Sequence, residues 1–170
     1  MRGQSPATVN TIIGIILLVL IIGLGYWWYS TTPSESQTQI GTADEQAVRS
    51  VVTNFGKQLQ MVPLTASSDD IASAVDRYYK PYIAPELLEK WEAAPANAPG
   101  RFTSSPWPDH IDILTTSKNP DGSYVVEGSV VEITSAEVEQ GGSSDTYPVE
   151  LKLENRDGKW LITDYARRAQ

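Results

Sequence analysis

The sequence predicts an α+β fold on a membrane stem: an N-terminal transmembrane helix followed by a cone of three N-terminal helices packed on a curved antiparallel sheet of four or more strands. Three observations carry this. Residues 9–29 are apolar and hold no charged side chain. Residues 42–95 place apolar side chains at helical spacing, interrupted by prolines, and beyond Pro108 the apolar period falls to two.

The stem comes first. Val9 to Tyr29 reads VNTIIGIILLVLIIGLGYWWY, and at about 1.5 Å per residue such a run covers a hydrocarbon core of roughly 30 Å. Tyr26, Trp27, Trp28 and Tyr29 form an interfacial aromatic belt at one end. A cleaved signal peptide would have a shorter apolar core and small residues at its end, so the run is read as a retained anchor. Arg2 precedes the span and Glu35 is the first charge after it. The positive-inside rule therefore sets residues 1–8 in the cytoplasm and the remainder outside the cell membrane, with the lipid bilayer as the partner of residues 9–29. Residues 30–41, STTPSESQTQIG, are too polar to fold alone and read as a flexible linker. The globular domain is expected over 42–170.

Within that domain, Val48, Val51, Val52, Phe55, Leu59 and Val62 follow helical spacing, Thr42 and Glu45 fit a capping box, and Pro63 is the expected stop. A second helix is read in SSDDIASAVDRYYK, with Ser67 or Ser68 as cap, Asp69 and Asp70 in the first turn, and Ile71, Val75 and Tyr78 on one face. Pro81 closes it. A third starts at Pro85, a residue suited to the first helical position, and buries Leu87, Leu88 and Trp91.

After the loop from Pro95 to Pro108 the pattern becomes that of a sheet. A strand from His110 is expected to put Ile111, Ile113 and Thr115 on one face, and Asn119 to Gly122 to turn into a long strand, SYVVEGSVVEITSAEVE. Tyr124 and Val126 differ in parity from Val131 and Ile133, which calls for a bulge or a sharp bend near Gly128 and a strongly curved strand. Glu132, Glu137 and Glu139 then read as a solvated or edge-protecting row. Tyr147, Val149, Leu151 and Leu153 alternate strictly with polar neighbours, and NRDG turns into a last strand that buries Trp160 and Ile162.

Composition limits the chemistry. The 170 residues hold 13 Lys plus Arg, 21 Asp plus Glu, one His and no Cys, for a formal net charge of −8. One domain plus an appendage fits this length. Disulfides, thiolate nucleophiles and Cys-ligated metal sites are excluded, one imidazole does not make a metal cage, and an acidic chain is not built to neutralise nucleic-acid phosphates. No cofactor, no metal site and no catalytic residue is assigned.

The element order and the ending PVELKLENRDGKWLITDYA resemble the nuclear transport factor 2-like (cystatin-like cone) superfamily, whose last hairpin commonly carries a DGKW-type turn. YIAPELLEKW and TSSPWPDHIDIL are also similar to stretches of uncharacterised membrane-anchored proteins of Gram-positive bacteria. The resemblance covers Thr42 to Arg168 and implies helices laid in a curved sheet. It implies no single role, because this scaffold serves isomerases, dehydratases and extracytoplasmic assembly domains alike.

Two groups of residues are candidate sites. Phe55, Tyr78, Trp91, Tyr124 and Trp160 line the cone interior, either as a ligand pocket or as filled core, and cavity geometry decides between them. Trp107, held between two prolines, is either a partner-contact anchor or a plug for the cone. His110 joins it as a contact residue; with Asp112 it could form a proton-transfer pair, but strand parity turns both towards solvent. The expected function is a membrane-tethered binding or accessory assembly module that meets another envelope protein. Small-ligand binding in the cone, or an isomerase or dehydratase activity, is the alternative.

Overall fold

The computed structural model describes residues 42–169. The anchor expected at 9–29 and the linker at 30–41 lie outside them, and among the described residues no helix is long and apolar enough to cross a membrane. The described chain is α+β, with three helices, α1 (Ala43–Gly56), α2 (Ser68–Tyr79) and α3 (Pro85–Ala93), ahead of a four-stranded sheet. The strands β1 (Trp107–Lys118), β2 (Tyr124–Ile133), β3 (Asp145–Arg156) and β4 (Lys159–Arg167) are hydrogen-bonded in chain order, every pair antiparallel.

The helix starts follow their caps. Thr42 Oγ1 accepts the Glu45 N–H at 3.2 Å and Ser67 Oγ accepts the Asp70 N–H at 3.3 Å, each satisfying an orphan donor of the first turn. Pro85 opens α3. The end of α1 differs from expectation: the helix stops at Gly56, and Leu59–Met61 form a separate 3-10 turn. Phe55, Leu59 and Val62 are spaced by four and three residues, which serves both helix types, so periodicity did not register the change. In α2 the buried aromatic is Tyr79, not Tyr78. Ile71, Val75 and Tyr79 succeed one another at i+4, whereas Tyr78 falls on the flank, half-buried against the core.

The sheet departs from expectation at three places. First, β1 begins at Trp107 rather than His110, and its register slips between Pro108 and His110 and again between Ile113 and Thr115. The second slip leaves Leu114 68% exposed and turns Thr115 outward, although Ile111 stays buried. Second, β2 carries no bulge at Gly128: its register with β3 runs unbroken from Tyr124↔Leu153 to Glu132↔Asp145, and Val130 joins Tyr124 and Val126 in the core. Gly128 serves β1 instead. A Cβ there would lie 2.5 Å from the Asp112 carbonyl oxygen, so only glycine lets the bulged strand approach.

Third, the long strand ends at Ile133, and Ser135–Gln140 form a short helix, α4. Thr134 caps it by accepting the Ala136 N–H, while the Glu137 carboxylate accepts the Thr134 N–H at 2.7 Å. That capping box, not edge protection, accounts for Glu137, and its bonds to Thr134 hold the carboxyl below its ordinary range. Glu132 lies on an interior strand, so it guards no edge either.

β3 alternates as expected, and Asp157 and Gly158 make a two-residue turn into β4. In β4, Lys152 pairs with Asp164 but Leu153 pairs with Ile162, so Thr163 is an extra residue and Tyr165 swings to the inner face. The outer edge of β4 is covered by the chain ahead of α3, since Ala84 N–H donates to Ile162 O at 2.8 Å and Ile162 N–H to Tyr82 O at 2.9 Å.

Candidate functional site

The interior of the domain is made of rings. Phe55 meets Tyr79 at 4.9 Å between centroids, stacks on Trp91 at 6.4 Å, and meets Tyr165 at 6.1 Å; Trp91 in turn contacts Tyr79 and Tyr165 edge-on. Phe55, Tyr79 and Trp91 are buried, and aromatic pairs of this geometry add about 0.5–1.5 kcal/mol each beyond their burial. Tyr124 and Trp160 form a second, T-shaped pair at 5.1 Å, nearer the start of α1, where Thr42 Oγ1 lies 3.4 Å from the Tyr124 hydroxyl. The five expected lining residues are thus divided: Phe55 and Trp91 in the central ring cluster, Tyr124 and Trp160 in the second pair, and Tyr78 on the helix flank.

The contact candidates sit at the head of β1. Trp107 is half-buried and paired in register with Ile133, and it is not part of the main core cluster. His110 stands between two carboxylates, with Nδ1 2.7 Å from Asp109 and Nε2 3.1 Å from Asp112. The shared face of His110 and Asp112 follows strand parity, and Asp109 joins them through the slip next to it.

A cleft of about 250 Å³ opens at the same end of the sheet, on its β3–β4 side, where it meets the segment before β1. One wall is the chain from Ala96 to Phe102; the other is Tyr147 on β3 with Tyr165 and Arg167 on β4. The first wall is fixed by backbone. Arg101 N–H donates to Val62 O at 2.8 Å, Leu64 N–H to Arg101 O at 2.9 Å, and the Tyr79 hydroxyl to Pro99 O at 2.7 Å. Gly100 is required there, because a Cβ would lie 2.5 Å from Val62 O. Phe102, 63% exposed, stands at the rim.

The second wall is polar and partly unsatisfied. The Tyr165 hydroxyl is buried and meets no partner in good hydrogen-bond geometry; the nearby Tyr147 phenol is its one weak hydrogen-bonding neighbour. Burial, then the neighbouring phenol, holds Tyr165 well above the usual tyrosine range; burial, then Glu132, raises Tyr147 as well. Both are neutral donors near pH 7, not bases. The Arg167 guanidinium lies over the Tyr147 ring at 4.0 Å. Behind it, Glu132 faces Asp145 across the β2–β3 pairing, and burial and then Asp145 raise its carboxyl against the opposing pull of Arg167. Among the described residues no group of three His, Asp or Glu side chains is placed to hold a metal ion.

Sequence reasoning did not find Tyr165, Arg167 or Phe102. Tyr165 was hidden by the extra residue at Thr163, and the walls of the cleft are far apart in sequence.

No family model matches the chain, and no curated protein matches it. Among solved structures it is similar to the crystal structure of the intermembrane space region of the chloroplast protein ARC6, at 15% identity over 72% of this chain and 97% of that one, with a TM-score of 0.36. At that score the likeness carries no argument about fold or role.

Proposed function

We propose that the protein is a membrane-tethered extracytoplasmic module with a nuclear transport factor 2-like head, non-enzymatic, which contacts another envelope protein. The observation that carries this reading is the contrast between a ring-packed centre and an open cleft with an exposed aromatic at its rim. Rings at 4.9–6.4 Å weigh against a ligand among Phe55, Tyr79 and Trp91. Exposed Phe102 and the half-buried Trp107, five residues apart on the segment entering β1, supply the kind of aromatic anchor that contact surfaces use. Anchorage at residues 9–29 would raise the local concentration of the head for envelope partners, so a weak contact suffices.

The test is photo-crosslinking in intact cells from a photoreactive phenylalanine analogue at position 102, with position 138 on α4 as an equally exposed control. A discrete membrane-fraction adduct from 102 and none from 138 is expected. Equal labelling, or none from 102, contradicts the reading. A reporter fused after Gln170 should be active outside the cytoplasm; activity confined to the cytoplasm contradicts the topology.

A further inference from the structure

We propose that the cleft between residues 96–102 and Tyr147, Tyr165 and Arg167 receives an uncharged anchor residue of a partner polypeptide, whose main-chain carbonyl accepts the Tyr165 hydroxyl proton. This deepens the contact reading above and rests on it.

The poorly satisfied Tyr165 hydroxyl is the first reason. A buried hydroxyl without a partner costs about 1–3 kcal/mol, and native proteins rarely keep one without a use. Here the ring of that tyrosine lines an open cleft rimmed by the exposed side chains of Phe102 and Arg167, and an entering acceptor reaches the hydroxyl by displacing the Arg167 guanidinium from its place over the Tyr147 ring. The opposite wall is already rigid, tied to Val62, Leu64 and Tyr79, so little order has to be created on binding.

Size is the second reason. At about 250 Å³ the cleft is below the roughly 300–1,000 Å³ of sites that enclose a whole small molecule, and matches one side chain with its adjoining peptide group. Ala96, Ala98, Pro99 and Phe102 make the wall apolar, which suits an aliphatic anchor.

Charge is the third. Arg167 alone would favour a carboxylate, but it already acts on Glu132, and Glu132 is paired with Asp145. One guanidinium against two carboxylates, in a chain of net charge −8, disfavours an anion and leaves a neutral carbonyl as the fitting acceptor. Tyr165 and Tyr147, both held neutral, are suited to it.

The experiment uses the full-length chain in detergent micelles, with ring-labelled tyrosine followed by nuclear magnetic resonance. The probes are N-acetyl-leucine N-methylamide, its free carboxylate N-acetyl-leucine, and N-acetylglucosamine as a non-peptide amide. The expected result is saturable shifts at Tyr165 and Tyr147 with the neutral leucine amide, at least fivefold weaker binding of the carboxylate and the sugar, and about fivefold weaker binding of the amide by Tyr165→Phe. Leu114→Ala, an exposed β1 position outside the cleft lining, should bind within about twofold of the parent. No saturable shift, carboxylate or sugar binding as tight as the amide, or unchanged binding by Tyr165→Phe overturns the proposal. An adduct from position 102 in cells without amide binding overturns this inference and spares the contact function; amide binding without an adduct does the reverse, leaving a small-amide site and no polypeptide partner.

Discussion

Tyr79 and Tyr165 belong to one ring cluster, and both phenols are pushed well above the ordinary tyrosine range by burial, yet the two walls of the cleft treat them differently. Behind the first wall of the cleft, between α2 and the segment before β1, the Tyr79 hydroxyl donates to Pro99 O at 2.7 Å. In the second wall, the Tyr165 hydroxyl meets only the Tyr147 phenol, without good hydrogen-bond geometry. The same residue type thus completes the packing in one place and leaves a poorly satisfied donor in the other, and the proposed contact rests on that difference.

The largest effect that probes this contrast is alkaline unfolding. A phenol whose folded pKa is raised contributes stability that is fully present below its unfolded value near 10 and is lost as pH rises through the folded value. Stability should therefore fall steeply above about pH 10, with the ionisation of Tyr79 and Tyr165, followed by ultraviolet absorbance, coinciding with unfolding. Their titration at ordinary values within a folded chain would break the comparison at its base.

Next in size is Phe55→Ala. Phe55 is fully buried among three rings, and its truncation should cost about 3–5 kcal/mol in urea unfolding. A loss below about 1 kcal/mol would mean the centre is loosely filled. Tyr79→Phe is smaller but sharper: it strips a buried carbonyl of its donor and should cost about 1–3 kcal/mol by the same measurement.

Much of this architecture was legible in the sequence. Thr42, Ser67 and Pro85 announced their helices because capping is local chemistry, and the alternation from Tyr147 to Leu153 announced β3 because a half-buried strand has period two. The short helix after Ile133 was also written there, as Thr134 and Glu137 in capping-box spacing, but six residues are too few to show a helical stripe. The slips in β1 and β4 were not legible. They depend on which partner residue each strand meets, and each reverses the facing of everything beyond it, as for Thr115 and Tyr165. The cleft inherits that opacity, since one wall exists only because Thr163 is an extra residue and the other because Gly100 lets residues 96–102 lie against Val62.

The smallest expected effect is also the most direct test. Tyr165→Phe removes the hydroxyl and keeps the ring, so its unfolding free energy should equal or exceed that of the parent chain, in contrast to the loss in Tyr79→Phe. If Tyr165→Phe is destabilised as much as Tyr79→Phe, the hydroxyl already has an internal partner, and the cleft does not hold the free donor on which the account depends.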